Sequence, residues 1–165
     1  MNIVIIVFIA MVALCAAIVY YCKRNPKDIM SFRESLDLTD LPIVTFKIGG
    51  TKKPDGKFNF LLDTGCTISI IDKESSNLLP LTIVEGESSV YGMEGNEIAC
   101  SMGALKLLYK DKPYIELFQI VDMSSAFKKL KAENGVTIHG VLGTKFFEKY
   151  KYVIDFNELI AYSKK

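Results

Sequence analysis

The hydrophobic pattern changes character once along the chain. Residues 3–22, IVIIVFIAMVALCAAIVYYC, hold no charge, no glycine, no proline and no polar stripe. Twenty helical residues at about 1.5 Å each span roughly 30 Å, the hydrocarbon thickness of a bilayer. The run therefore predicts a transmembrane helix over residues 3–22, closed by Tyr20 and Tyr21, whose amphipathic rings suit the membrane boundary. A cleaved signal peptide is the competing reading. It requires a positive stretch before the apolar run and a small-residue site after it, and neither is present. Leu14 precedes Cys15 and Tyr21 precedes Cys22, so neither cysteine fits a lipoprotein-type cut. Lys23, Arg24, Lys27 and Arg33 follow the span, and no Lys or Arg precedes it. The positive-inside rule then expects the remaining chain in the cytoplasm; insertion of the short N-tail the other way would put it on the periplasmic side.

Beyond residue 22 the pattern turns to short alternating runs. Residues 23–40 are polar and broken by Pro26, which predicts a linker. The folded domain is expected over residues 41–162, about 120 residues, enough for one core. Leu41–Ile48 and Lys57–Leu62 predict a hairpin around Gly49-Gly50 and Pro54-Asp55-Gly56, with Phe58, Phe60 and Leu62 on one face. Ile68–Ile71, Ala104–Tyr109, Tyr114–Val121 and Val136–Leu142 predict further strands. Val84–Ile98, with Gly86, Gly92 and Gly95, predicts a loop or mobile hairpin. Ser124–Asn134 predicts a helix capped by Ser124 or Ser125 and ended by Gly135, and Thr144–Tyr150 a second. Tyr152–Phe156 and Leu159–Tyr162 predict a closing hairpin. Many short strands with one or two short helices define an all-β, barrel-like or sandwich-like domain.

Composition narrows the possible functions. Half the residues are hydrophobic, and 20 Lys+Arg face 19 Asp+Glu for a net charge of +1. A chain this apolar and evenly charged is not a disordered tail, and it lacks the basic excess of a nucleic-acid binder. Cys15 and Cys22 fall in the apolar run, Cys66 and Cys100 in the domain, with no C-x-x-C pair and His139 as the single histidine. That set predicts free thiols, no zinc site, no metal and no cofactor.

Candidate chemistry gathers at Asp63-Thr64-Gly65, directly after the apolar Leu61-Leu62. An acid at the end of a buried strand, on a loop that glycine lets approach closely, is held rigidly beside the core. The tripeptide alone reads more readily as turn chemistry than as a catalytic site.

Its context resembles a known family. FNFLLDTGCTISIID, residues 58–72, resembles the active-site segment of retropepsin-like (retroviral-type) aspartic proteases. Val90-Tyr91-Gly92-Met93-Glu94-Gly95 is similar to their glycine-rich flap. Gly140-Val141-Leu142-Gly143, then Phe146-Phe147 and Val153-Ile154-Asp155-Phe156, is similar to their apolar-Gly segment, short helix and closing strand. The resemblance covers about residues 58–160 and is nearest to bacterial membrane-tethered members. It implies a small closed β-barrel-like acid-protease domain, peptide hydrolysis, and a dyad of two carboxylates sharing one proton. With a single D-T-G per chain, it implies a homodimer in which each copy supplies Asp63, supported by Thr64 and Gly65. Tyr91, Gly92, Met93 and Gly95 would bind substrate as the flap. Cys66 departs from the Ala or Ser usual in the family. Glu94 adds a charge at the flap tip, and His139 and Asp155 read as structural. A non-catalytic peptide-binding or scaffold module of the same fold is the alternative function.

Overall fold

The computed structural model describes residues 11–17, 28–91 and 97–163. Residues 11–17 form an exposed helical segment, α1. The rest of the expected span over residues 3–22 lies outside the described residues. Among those described, no helix is long and apolar enough to cross a membrane.

The domain is mostly β with a few short helices. Its seven-stranded sheet contains β2 (Ile43–Lys47), β3 (Lys57–Leu62), β4 (Ile70–Asp72), β5 (Thr82–Tyr91), β6 (Glu97–Tyr109), β7 (Lys112–Val121) and β8 (Gly140–Leu142). They stand in the order β2-β3-β8-β4-β7-β6-β5, and a β2–β6 pairing at Lys47 and Leu108 closes the sheet on itself. Closure removes an open edge. β5 rides outside the ring on β6, forming the hairpin expected around residues 84–98. A second sheet orders β1 (Asp28–Ser31), β10 (Ile160–Ser163) and β9 (Tyr152–Asp155). The helices are α2 (Arg33–Thr39), α3 (Lys73–Ser76), α4 (Ser124–Asn134) and α5 (Thr144–Tyr150).

Alternation sets the core. Phe58, Phe60 and Leu62 all face inward from β3, meeting Phe46, Phe118, Leu142 and Phe146, each at most 1% exposed. Phe60 lies edge-on to Phe46 at 5.7 Å between ring centroids and tilted to Phe118 at 5.6 Å. The β2–β3 turn uses left-handed backbone at Gly50 (φ 73°) and Gly56 (φ 59°), which glycine adopts without a Cβ penalty. A second apolar cluster joins Ile43, Ile70, Val121, Ile138 and Val141 to Phe127 of α4.

Several elements differ from expectation. Residues 28–39 are not a linker: β1 pairs with β10, and Met30 and Phe32 are 1% exposed. Polar spacing hides this stretch, because only a few of its side chains reach the core. Val136–Leu142 yields a strand only over Gly140–Leu142. Ser124 and Ser125 do not cap α4; the N-cap is Met123, without a side-chain bond. Asp122 takes the capping role one position earlier, its Oδ1 accepting from Ser124 N–H (3.0 Å) and hydroxyl (2.6 Å). Gly135 does end α4, at φ 72°.

Candidate active site

Asp63 follows the last residue of β3, and the way β3 leaves the sheet fixes its position. β8 lies between β3 and β4, parallel to the first and antiparallel to the second. The chain must therefore cross the end of β8 to pass from one to the other, and residues 63–69 make that crossing. A strand arriving some 80 positions later is thus threaded beneath the loop. Gly140 permits the close packing: a Cβ there would lie 2.5 Å from Ile70 O and 2.9 Å from a Phe60 ring carbon.

Hydrogen bonds clamp the loop from both sides. Asp63 N–H donates to Leu142 O (3.1 Å), and Cys66 N–H donates to Asp63 O (3.3 Å). Thr144 N–H donates to Cys66 O (2.7 Å), and Lys145 N–H to Thr67 O (3.1 Å). The Thr144 hydroxyl lies within reach of Thr64 O (3.0 Å) and Cys66 O (3.1 Å). These donors belong to the start of α5, so the helix that leaves β8 satisfies the loop's carbonyls. Gly143 is pressed against the loop: a Cβ would sit 2.7 Å from Cys66 O and 2.8 Å from Ile68 C.

Within the clamp, Asp63 is half-buried as a residue, and its Oδ1 accepts from Gly65 N–H at 2.8 Å. A Cβ at Gly65 would approach that oxygen to 3.1 Å, so glycine leaves the carboxylate room. Thr64 and Gly65 are exposed. Thr64 borders an open cleft of about 660 Å³, shared with Thr144, Phe147 and Tyr152. Cys66 is half-buried, and its thiol donates to Ile68 O at 2.9 Å. Burial, and then the Asp63 charge, push the thiol's pKa up. Both disfavour the thiolate and so lower its reactivity.

The other expected site residues fall elsewhere. Tyr91 ends β5, its backbone in register with Glu97 of β6. Gly92, Met93, Glu94 and Gly95 lie outside the described residues. The hairpin is tied to the barrel by Gln119 Nε2, which donates to Ser89 O at 3.1 Å. His139 stands at the far end of β8 from Asp63. It is buried, its Nδ1 accepts from Asn59 N–H at 3.0 Å, and it meets Phe58 edge-on at 4.9 Å. Burial, helped by the Lys53 charge, pushes its pKa down to about 4, so the ring is neutral with its proton on Nε2. Asp155 caps its turn, Oδ1 accepting from Asn157 N–H (2.9 Å) and Glu158 N–H (3.0 Å). Among the described residues, no cluster of three or more His, Cys, Asp or Glu is placed to hold a metal.

Sequence reasoning missed one group beneath the loop. Glu116 is 4% exposed on β7, and its Oε1 accepts from the hydroxyl of the fully buried Ser69 at 2.9 Å. Ser69 Oγ accepts in turn from Gly143 N–H at 3.2 Å. The signal was phase: Glu116 falls on the inward row between Tyr114 and Phe118.

No family model matches the chain, and no curated protein matches it. Two solved structures resemble it in part. The EIAV protease, complexed with the inhibitor HBY-793, is 16% identical with a TM-score of 0.46, over 66% of this chain and 86% of that one. A Legionella pneumophila protein of unknown function is 12% identical with a TM-score of 0.41, over 68% of this chain and 88% of its own. At TM-scores this low, neither likeness decides the activity of this chain.

Proposed function

We propose that the chain is a membrane-anchored aspartic endopeptidase of retropepsin-like type, with its active site completed by homodimerisation. The observation that carries the reading is the Asp63 loop: a half-buried aspartate at a strand end, its backbone held by β8 and the start of α5, with Thr64 and Gly65 exposed beside it. One loop per chain supplies one carboxylate, and a two-fold axis through it would bring a second. Two carboxylates that close cannot both ionise, so one holds a proton while the other stays charged. The charged Asp63 would take a proton from a bound water as that water attacks the scissile carbonyl. The protonated Asp63 would donate to the carbonyl oxygen. The open cleft beside Thr64 offers a second copy room to pack against the loop. Residues 91–95, whose sequence is similar to a glycine-rich flap, would cover an extended peptide paired to the site as a strand.

The apolar run over residues 3–22 supports anchoring. The basic residues after it favour a cytoplasmic domain. Tethering two copies in one membrane would raise their effective concentration.

The test is cleavage of an unfolded protein between about pH 3 and 7 by the full chain in detergent, beside Asp63→Asn. Keeping the full chain matters, because β1 begins at Asp28. Cleavage that follows a bell-shaped pH profile and vanishes in the variant supports the reading. Equal background from two folded, dimeric samples would instead favour a non-catalytic peptide-binding module.

A further inference from the structure

We propose that Glu116 is a positioning residue for the Asp63 loop, acting through the Ser69 hydroxyl on the start of α5. A carboxylate on the inward face of β7, between Tyr114 and Phe118, is costly to desolvate, and a leucine would pack there without that cost. What the carboxylate supplies is a fixed acceptor. Ser69 has one hydroxyl proton. Committing it to Glu116 Oε1 (2.9 Å) leaves an oxygen lone pair for Gly143 N–H (3.2 Å). Without that acceptor the buried hydroxyl is free to rotate, and its proton competes with Gly143 for the same space.

Gly143 is the N-cap of α5 and is pressed against the loop backbone. The other carboxylate oxygen of Glu116, Oε2, lies 3.5 Å from Lys149 Nζ in the last turn of that helix. Glu116 thus holds α5 at both ends, through Ser69 at one and Lys149 at the other. The donors that α5 presents to Thr64 O, Cys66 O and Thr67 O are set by where the helix sits. Displacing it would move the loop that orients Asp63, and small displacements of a reacting group cost much of the rate.

The catalytic readout of this inference rests on the protease reading; a second readout does not. Full chain in detergent is compared as wild type, Glu116→Leu, Glu116→Gln and Ser69→Ala, well below the unfolding temperature. Glu116→Leu and Ser69→Ala are expected to lose about tenfold in kcat with KM within about twofold. Glu116→Gln, whose amide oxygen still accepts from Ser69, should stay within about threefold. Amide exchange at Gly143 should speed by about tenfold in the first two variants and not in the third. Wild-type kcat and wild-type Gly143 exchange in a folded Glu116→Leu would overturn the proposal. So would a Glu116→Gln as impaired as Glu116→Leu. If Glu116→Leu does not fold, Glu116→Met, which also lacks the oxygen acceptor, decides by the same measurements. If the wild type shows no Asp63-dependent cleavage, the protease reading falls and Gly143 exchange alone decides: faster exchange sustains the positioning role, and unchanged exchange ends it.

Discussion

Replacing Gly143 by alanine isolates the clamp on the Asp63 loop, because the backbone itself offers no objection. Gly143 is extended, at φ −91° and ψ −180°, a conformation open to any residue. The whole cost is therefore steric. The added methyl would meet Cys66 O at 2.7 Å, Ile68 C at 2.8 Å and Ile68 O at 2.9 Å, all backbone atoms. Ordinary contact begins near 3.4 Å, so loop and helix must part by about 0.5–0.7 Å. Overpacking of this kind costs about 1–3 kcal/mol. The parting also lengthens the Thr144–Cys66 and Gly143–Ser69 hydrogen bonds, each worth about 0.5–1.5 kcal/mol. We expect a total near 2–4 kcal/mol, and a melting temperature lower by roughly 6–12 °C for a chain of this size. Urea unfolding followed by near-ultraviolet circular dichroism measures the first, and a thermal scan the second. Gly49→Ala is the control, since nothing lies within 4 Å of its would-be methyl; it should be neutral within about 0.5 kcal/mol. A Gly143→Ala protein as stable as that control would show that helix and loop are not in contact, and the account of how Asp63 is held would fail with it.

Other consequences are open to measurement. The folded-state pKa of His139 lies below its ordinary value, so the unfolded chain binds a proton first as pH falls. Stability should decline from about pH 6.5 to 4, by at most about 3 kcal/mol from this group, and level off below that. In His139→Gln the slope over that window should flatten, and equal slopes in urea midpoints for both proteins would refute the assignment. Because the Asp63 charge helps hold the Cys66 thiol protonated, peptide-resolved alkylation of Cys66 should be slow and should quicken in Asp63→Asn. Equal rates in the two proteins would remove that charge from the account. Leu142→Ala, at a site fully buried between β3 and β4, should cost about 2–5 kcal/mol. Leu38→Ala, at a side chain 73% exposed, should cost under about 0.5 kcal/mol. Comparable urea midpoints for the two would contradict the core described above.

What could be read from the sequence was what each segment states about itself. Lys57–Leu62 alternates cleanly, Ser124–Asn134 ends in a left-handed glycine, and Asp63-Thr64-Gly65 stands out against the apolar run before it. Relations between distant segments could not be read. Residues 28–39 carry too few apolar positions to announce a strand and helix; they fold because β10 is there to pair with and Phe32 has a core to enter. Val136–Leu142 is mostly apolar and β-branched, yet only its last part has neighbours on both sides to bond. Asp63 was visible, but its clamp at Gly143–Lys145 was not, because no local pattern says that β8 returns between β3 and β4. Glu116 was hidden for a related reason. A charged residue in an alternating strand is ordinarily assigned to the solvent side, and only the phase of Tyr114 and Phe118 contradicts that.

The pairing of β1 with β10 carries a further consequence. Asp28 and Ser163 are register partners, and such Cα atoms lie about 5 Å apart. The stretch from β1 to β10 thus begins and ends at one place and is nearly a closed ring. A short peptide joining residue 163 to residue 28 would cost little loop entropy, and the ring could be reopened at the exposed Gly49-Gly50 turn. In such a circular permutant the order of the chain would change completely, while the crossing over β8 and the carboxylate upon it would keep every neighbour they have.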